Sequence, residues 1–240
     1  VKPGTDEGWF EHWKQERMRF YIEQIGLRPE KLRFHEHGKD ELAHYARAAF
    51  DVEYEFPFGW KELEGIHNRG DFDLSRHMEA SGQNLEYFDP ATEEHFVPWI
   101  VETAGGPDRA AFTFLIDAYR EEEVRGETRV VLALHPDLAP YKVAVLPLLK
   151  KRPEIVELCQ RIVGDLRRDV MAVYDDTASI GKLYRRQDEI GTPWCVTVDV
   201  ESLEDGQVTI RDRDSMTQDR VAVGQVRQLI IDRLAAAHGG

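Results

Sequence analysis

The spacing of hydrophobic residues divides the chain into two parts with different patterns. Up to about residue 104, apolar and polar residues alternate over short stretches, as in KLRFHEH and VEYEFPFGWKELEGI. A period of two indicates strands with one buried face. After residue 128, continuous apolar runs such as RVVLALHP and YKVAVLPLL alternate with segments of helical spacing. That second pattern is typical of an α/β layered domain.

The first part is predicted to contain three helices and several strands. The spacing predicts a helix that ends at Gly26, a strand over residues 31–37, and a helix over residues 39–50 with Asp40 as its cap. It predicts a hairpin over residues 52–66, broken by a Pro/Gly turn, and a second hairpin over residues 75–104. The segment from Ala110 to Tyr119 is almost wholly apolar, so we expect a buried helix there.

The second part is predicted to alternate strands and helices. Helices are expected over residues 152–169, 179–191 and 222–234, with strands before and between them. The charged run REEEVRGETR, residues 120–129, precedes this change of pattern and is the best candidate for a linker. We therefore expect two domains, residues 1–124 and 125–240.

Composition indicates a globular protein in a reducing compartment. The chain has 240 residues, of which 42% are hydrophobic, enough for one large domain or two smaller ones. No apolar run reaches the roughly 18 to 20 residues of a membrane helix, and no secretory signal is evident. Two cysteines are too few for a disulfide framework. These features predict a cytoplasmic protein without a membrane partner.

The net charge of −14 argues against a nucleic-acid partner at first sight. Residues 1–125, however, hold 15 basic and 27 acidic side chains, whereas residues 126–240 hold 16 basic and 18 acidic ones. The second part also groups its positive charges, in KKR at residues 150–152, at Arg167 and Arg168, and in KLYRR at residues 182–186. Such groups indicate either a solvated face or a surface for RNA.

The stretch ETAGGPDR, residues 102–109, places an acid and an arginine on either side of a glycine turn. Gly105 and Gly106 allow close approach of a ligand to the backbone, and the amides at a helix start favour negative groups. Arg109 could stack on an aromatic ring, and Glu102 could accept hydrogen bonds from an ammonium group. The alternative is that the turn only begins a helix.

Other polar residues offer weaker signals for chemistry. Glu62 and Glu64 are expected on one face of a strand, where a divalent metal or an ammonium group could balance them. His35 and His37 are also two residues apart but lack a third ligand for zinc. His77 and Cys159 are expected to be structural. No Ser-His-Asp set or nucleophilic cysteine is evident, and GGPDR lacks the ending of a phosphate-binding loop.

Several long motifs together resemble the dimeric type of glycyl-tRNA synthetase, a class II family. They are LRFHEHGKDELAHYARAAFDVEYEFPFGWKELEGIHNRGDFDLSRH, VPWIVETAGGPDR, LYRRQDEIGTPWCVTVD and VTIRDRDSMTQDRV, and they cover nearly the whole chain. The resemblance implies the C-terminal part of an antiparallel-sheet catalytic domain. It also implies that a three-layer α/β anticodon-binding domain with a mixed sheet follows.

The resemblance assigns functions to the motif residues. ETAGGPDR resembles motif 3, in which Arg109 would stack on the adenine of ATP and Glu102 would hold the ammonium of glycine. ATP would contact Glu62, Leu63, Gly106, Pro107, Asp108 and Arg109, with Glu62 beside its Mg²⁺. Glycine would contact Glu102, Thr103, Ala104, Gly105 and Gly106. tRNA(Gly) would contact basic residues of the second domain, for which the candidates are Arg152, Arg168, Lys182, Arg185 and Arg186.

The implied reaction is the ATP-dependent formation of glycyl-adenylate followed by transfer of glycine to tRNA, by a homodimer. The chain departs from the family at Ala104, where a serine hydroxyl is usual, so that contact is lost or replaced. Motifs 1 and 2 are expected before Val1, and these 240 residues alone are expected to be inactive. The alternative function is a non-catalytic synthetase-like module that binds nucleic acid, such as a polymerase accessory subunit.

Overall fold

The computed structural model describes residues 1–38 and 40–237 and divides the chain into two compact units. Unit 1 is Val1–Ile116 and unit 2 is Asp117–Gly240. Each unit buries its own hydrophobic cluster around its own sheet.

Unit 1 consists of a four-stranded antiparallel sheet covered by an N-terminal helix. Helix α1 spans Asp6–Arg19 and continues as a wider turn over Phe20–Gln24, until Gly26 adopts a positive φ of 76°. The strands are β1, Leu32–Glu36, β2, Ala48–Phe56, β3, Gly59–Gly70, and β6, Ile100–Gly105. They lie in the order β1-β2-β3-β6. The predicted first helix, first strand and Pro/Gly hairpin are confirmed.

The core of unit 1 lies between α1 and one face of this sheet. Alternate residues of β2 and β3 point to it, including Val52, Tyr54 and Ile66, which are fully buried. Phe10 of α1 and Tyr21 of the following turn complete the cluster. The opposite face of the sheet carries polar side chains, and it includes Glu102 and its neighbours.

The other elements of unit 1 connect the sheet strands at their ends. These are α2, Phe72–Ser81, the short hairpin strands β4, Tyr87–Asp89, and β5, Glu94–Phe96, and the helix α3, Pro107–Ala118.

Three predictions about unit 1 are wrong. The helix expected over residues 39–50 is a series of turns from Asp40 onward, and Ala48 already belongs to β2; Lys39 lies outside the described residues. Pairing of β2 with β3 outweighs the helical propensity of the alanines there. The expected hairpin over residues 75–104 is reduced to β4 and β5, because its first residues belong to α2. Helix α3 is not fully buried, since Phe112 and Leu115 are 46% and 48% exposed.

Unit 2 begins with the hairpin of β7, Tyr119–Val124, and β8, Glu127–Leu132. Arg125 and Gly126 form its turn, with φ values of 54° and 80°. Positive φ at both central residues is the geometry of tight two-residue hairpin turns. The expected linker over residues 120–129 is therefore wrong, because its charged residues pair across a ladder. The division between the units falls at residue 116, before this hairpin.

A five-stranded mixed sheet forms the centre of unit 2, in the order β10-β9-β11-β12-β13. The strands are β9, Val143–Pro147, β10, Ala172–Tyr174, β11, Trp194–Val198, β12, Gln207–Asp212, and β13, Gln218–Ala222. Strands β10, β9 and β11 are parallel, whereas β12 and β13 are antiparallel additions.

Helices cover both faces of this sheet. They are α4, Pro153–Leu166, α5, Ile180–Ile190, the short α6, Ser202–Asp205, and α7, Val226–Ala237. Val143 and Val145 pack with α4 and α7, whereas Ala144 and Leu146 pack with Leu183 of α5. The sheet is therefore the middle of three layers, which confirms the predicted mixed α/β fold.

Unit 2 also contains a buried ionic network. Asp188 is 1% exposed and accepts hydrogen bonds from the guanidinium groups of Arg129 and Arg211 at 2.8 to 3.1 Å. Arg129 also donates to a carboxylate oxygen of Glu122. Buried charges are tolerated only when they are paired in this way, so Asp188 holds the β7–β8 hairpin, α5 and β12 together.

We predict that Asp188→Asn lowers the free energy of unfolding of the chain by about 3 to 5 kcal/mol, because buried Arg211 loses its carboxylate partner and Arg129 keeps only Glu122. Urea denaturation followed by circular dichroism measures this change. The control is Arg168→Gln, which removes a cation that is 72% exposed and 3.3 Å from Asp165. It should cost at most about 1 kcal/mol. Equal stability of the two variants would contradict the importance of the network.

Candidate functional site

Arg109 and Glu62 come together at the start of helix α3. Strand β6 ends at Gly105, the helix begins at Pro107, and Arg109 lies in its first turn. The Arg109 Nη1 donates a hydrogen bond to the backbone oxygen of Glu62 at 2.9 Å and lies 3.6 Å from the Glu62 carboxylate. Both side chains are about half exposed, 52% and 50%, so both charged groups are accessible to a ligand.

An open cavity of about 590 Å³ adjoins this pair. Its lining combines three phenylalanines with charged groups: Phe56, Phe58, Lys61, Glu62, Asp108, Arg109 and Phe112. The Phe56 ring stacks on the Phe58 ring at 5.0 Å and on the Phe112 ring at 5.8 Å, with interplanar angles of 6° and 15°. An aromatic wall beside a guanidinium and an ammonium group suits a flat ring that carries an anionic tail.

Glu102 lies in a second polar cluster on the same sheet. It is paired across the ladder with His67 and accepts a hydrogen bond of 2.7 Å from Arg69 Nη1. Arg69 also donates two hydrogen bonds to the Asp73 carboxylate. The bond to Asp73, and after it the bond to Glu102, raise the pKa of Arg69. No pattern in the sequence singles out Arg69, although it lies in the motif IHNRGDFDL. Glu102 is not part of the lining of the Arg109 cavity.

The expectation that Glu62 and Glu64 share a face is wrong. The register of β3 against β2 shifts by one residue, because Val52 pairs with Glu64 whereas Glu53 pairs with Glu62. This β-bulge leaves Glu62 half exposed and buries Glu64, which is 3% exposed. Glu64 accepts two hydrogen bonds from Arg17 and one from Tyr21. Burial, and then the bond to Glu64, raise the pKa of Tyr21. Glu64 therefore has a structural role.

The remaining residues of the predicted site on β3 and β6, and Gly106 after them, present mainly backbone groups to a ligand. The Leu63 side chain is 1% exposed and belongs to the core. Thr103 and Ala104 are exposed near the end of β6, opposite Ile66 and Gly65. A Cβ at Gly105 would meet the Glu64 side chain at 3.6 Å, and one at Gly106 would meet Arg109 at 3.9 Å. These are ordinary contacts, so the glycines leave the surface flat without being sterically required there.

His35 of β1 and His37, which follows that strand, do not form a preformed metal site. His37 Nε2 lies 2.8 Å from Asp51, and His35 lies 3.9 Å from Glu41. Among residues 1–38 and 40–237, no group of three or more histidine, cysteine or acidic side chains is arranged to hold a metal ion. Cys159 and Cys195 are buried, and burial raises the pKa of each thiol to about 12, so both remain protonated.

In unit 2, the structure brings three of the five candidate RNA contacts together. Lys182, Arg185 and Arg186 line one open cavity of about 570 Å³ along α5, together with Glu127 and Glu189. Arg152 precedes α4 and Arg168 follows it, so a helix of 14 residues, about 21 Å, separates them.

All four candidate arginines pair with acids nearby. The pairs are Arg152 with Glu154, Arg168 with Asp165, Arg185 with Glu127, and Arg186 with Asp175.

The helices in the described part of the chain include none that is long and apolar enough to cross a membrane.

Comparison with known proteins defines the class first. Residues 142–233 match the model of the anticodon binding domain family. The structure is similar to prolyl-tRNA synthetase from Cryptosporidium parvum, solved with L-proline and AMP, with a TM-score of 0.70 over 98% of this chain and 48% of that one. At 16% identity this likeness concerns the fold. The fold is thus that of a class II aminoacyl-tRNA synthetase with its anticodon-binding domain.

The sequence relatives show which synthetases the chain resembles. The chain is 53% identical over 233 residues to the glycine–tRNA ligase of Caldanaerobacter subterraneus, and 51% identical over 233 residues to that of Borreliella afzelii. It is 49% identical over 235 residues to that of Geobacillus kaustophilus. These matches cover 96% to 98% of this chain and 50% to 52% of each relative. The chain is therefore similar to glycyl-tRNA synthetases along nearly its whole length, and it spans about half the length of these relatives.

The His37–Asp51 pair makes a pH-dependent contribution that can be tested. The hydrogen bond to Asp51 raises the pKa of His37 above its usual value of about 6.5. A raised pKa means that the pair stabilises the fold fully below pH 6.5 or so, and that this stability is lost as pH rises through the pKa of the folded state.

We predict that Asp51→Asn lowers the pKa of His37, as measured by NMR titration of its ring protons. The variant should also reduce the loss of stability of the chain between about pH 6 and 8. Glu94→Gln, which removes the surface partner of Lys2, serves as the control. An unchanged His37 titration in Asp51→Asn would refute the assigned cause.

Proposed function

We propose that the protein containing this chain is a glycine–tRNA ligase, which activates glycine with ATP and joins it to tRNA(Gly) in protein biosynthesis. The observation that carries this proposal is the identity of about one half to glycine–tRNA ligases across nearly the whole chain. Within that match, Glu62, Glu102 and Arg109 are all present, on β3, β6 and α3 of one unit. A non-catalytic module would have no need for all three.

ATP is proposed to bind at the Arg109 cavity. The guanidinium plane of Arg109 would stack on the purine, an interaction worth roughly 1 to 3 kcal/mol by analogy with base stacking. Lys61 lines the same cavity and could meet phosphate oxygens. Mg²⁺ is typically held by one or two carboxylates together with substrate phosphates. Glu62 and Asp108 fit that requirement, because both line the cavity and Glu62 is half exposed.

Glycine is proposed to bind at the Glu102–Arg69 pair. An amino acid carries an ammonium and a carboxylate group close together, so a site for it needs one acid and one base at similar spacing. The Glu102 carboxylate suits the ammonium group, and the Arg69 guanidinium, fixed by Asp73, suits the carboxylate. A fixed guanidinium is pre-organised, because its position does not have to be selected when the substrate arrives.

The proposed reaction requires no nucleophile from the protein. A carboxylate oxygen of glycine attacks the α-phosphorus of ATP, the bond to the β-phosphate oxygen breaks, and pyrophosphate leaves. A ribose hydroxyl of tRNA then attacks the glycyl carbonyl and releases its proton to water, and AMP leaves with the electrons of the acyl–phosphate bond. The protein contributes orientation and charge stabilisation. Glycine has no smaller competitor, so a cramped pocket suffices for selection.

Unit 2 is proposed to bind the anticodon arm of tRNA, and unit 1 to be part of the catalytic domain of a cytoplasmic homodimer. The cavity along α5 is the best candidate contact surface, because it gathers Lys182, Arg185 and Arg186. Exposed ion pairs contribute little to stability, so these arginines can exchange carboxylates for phosphates at small cost.

We predict that Arg109→Ala in the full-length protein raises the KM for ATP in glycine-dependent ATP–pyrophosphate exchange by on the order of tenfold, because the purine loses its stacking partner. Glu102→Gln should instead raise the KM for glycine by a similar factor and leave the KM for ATP nearly unchanged. Glu94→Gln on β5, which removes a 60% exposed acid outside both proposed sites, is the matched acid control. Normal exchange in Arg109→Ala would remove the role proposed for it.

We predict that Lys182→Gln weakens tRNA(Gly) binding uniformly across RNA sequences and reduces the slope of log affinity against log salt by about one, as expected for one lost phosphate contact. Filter binding between about 50 and 200 mM salt measures this slope. Arg76→Gln, which removes a 66% exposed cation of α2 in unit 1, is the control. An equal change of slope in both variants would argue against the α5 surface.

A further inference from the structure

His67 lies on the same face of the sheet as Ala104, the position at which the resemblance leads one to expect a serine hydroxyl. In the ladder of β3 with β6, His67 is paired with Glu102, and Gly65 is paired with Ala104. Paired residues of an antiparallel ladder point to the same face, so all four positions share the polar face of the sheet. The imidazole of His67 bends over Gly65, and therefore towards the position opposite Ala104.

We propose that the Nδ1 of His67 contacts the bound amino acid in place of that hydroxyl, and thus helps to determine the affinity for glycine. This inference rests on the proposed glycine site at Glu102. A neutral imidazole can accept a hydrogen bond at one nitrogen while the other carries the proton, and so it can replace one of the functions of a hydroxyl group.

The first observation in favour is an unsatisfied polar atom. Within the described residues, His67 Nδ1 is the buried side-chain nitrogen or oxygen that makes no hydrogen bond. Buried polar groups are nearly always bonded, and an exception in a native fold requires an explanation. A histidine with a purely structural role would be expected to have this nitrogen satisfied by the protein.

The second observation is the distance from His67 to the acid of the proposed glycine site. Nδ1 lies 3.6 Å from Glu102 Oε2, which is too long for a direct hydrogen bond. Nδ1 has almost no accessible surface here, so a substrate ammonium reaches it only when the partly exposed Glu102 side chain moves aside. Ammonium carries three donors, so it can then bond both the carboxylate and the imidazole at about 2.8 Å.

The third observation is that neighbouring groups fix the ring. A Cβ at position 65 would lie 2.8 Å from Cε1 and 3.3 Å from Nε2 of His67, so the ring depends on the glycine for its position. On its other side, the His37 ring lies 6.5 Å away at 89°, and it is held by Asp51. An immobilised ring can bind a small substrate without losing much conformational freedom.

The test uses the full-length protein and glycine-dependent ATP–pyrophosphate exchange. His67→Ala should raise the KM for glycine by on the order of tenfold or more, the usual range for a lost hydrogen bond to a charged group. The KM for ATP and kcat should change by less than about twofold. His67→Asn places a polar atom near the position of Nδ1 and should retain most of the affinity, whereas His67→Gln, which mimics Nε2, should not.

A double variant provides the rescue. Adding Ala104→Ser to His67→Ala should restore the KM for glycine to within about threefold of the parent, because the hydroxyl returns to the same face. An unchanged KM for glycine in His67→Ala, equal losses in the Asn and Gln variants, or no recovery in the double variant would each overturn the inference. Absence of glycine-dependent exchange in the parent protein would instead overturn the proposed function, which separates the two failures.

Discussion

The pairing of β3 with β6 is the constraint on which the candidate site depends. This ladder places Glu102 beside His67 and Arg69, and it ends at Gly105, so that α3 begins two residues later with Arg109 in its first turn. Because side chains alternate between faces, a shift of one residue would move Glu102 and Ala104 to the face that packs against α1. The buried residues Ile66 and Val52 fix the register by filling that other face.

The β-bulge at Leu63 places the two acids Glu62 and Glu64 of β3 in different environments. It allows Glu64 to point into the interior and bind Arg17, while Glu62, two residues earlier, remains half exposed beside Arg109. One acid therefore stabilises the contact of α1 with the sheet, and the other is available to a ligand. Bulges often redirect side chains near functional sites, and this one gives two similar residues different roles.

Unit 2 separates buried and exposed charges in a comparable way. Asp188 and its arginines are buried and hold three elements together, so they are not available to a partner. Lys182, Arg185 and Arg186 lie on the exposed side of the same helix. The helical period of α5 thus provides a buried ionic network on one side and a basic surface on the other.

Local patterns predicted much of the fold because they carried their own physical signal. The Pro/Gly hairpin of β2 and β3 and the alternation in unit 2 were correct, since turn chemistry and amphipathic spacing specify them locally. The helix predicted over residues 39–50 was wrong for the opposite reason. The alanines favour a helix, but Ala48 and Phe50 pair with β3 in the sheet. The linker predicted after residue 119 was wrong, because Arg125 and Gly126 form a tight turn that closes a hairpin within the charged run.

The candidate site shows the same division between sequence and tertiary structure. The sequence by itself determined the motif residues Glu62, Glu102 and Arg109, their order, and the resemblance to glycyl-tRNA synthetases. Only the tertiary structure decided which of them meet: Arg109 contacts Glu62, whereas Glu102 is bound by Arg69, thirty-three residues away. Register, bulges and the burial of neighbouring side chains decide such contacts, and they arise from pairing between distant strands that no local pattern encodes.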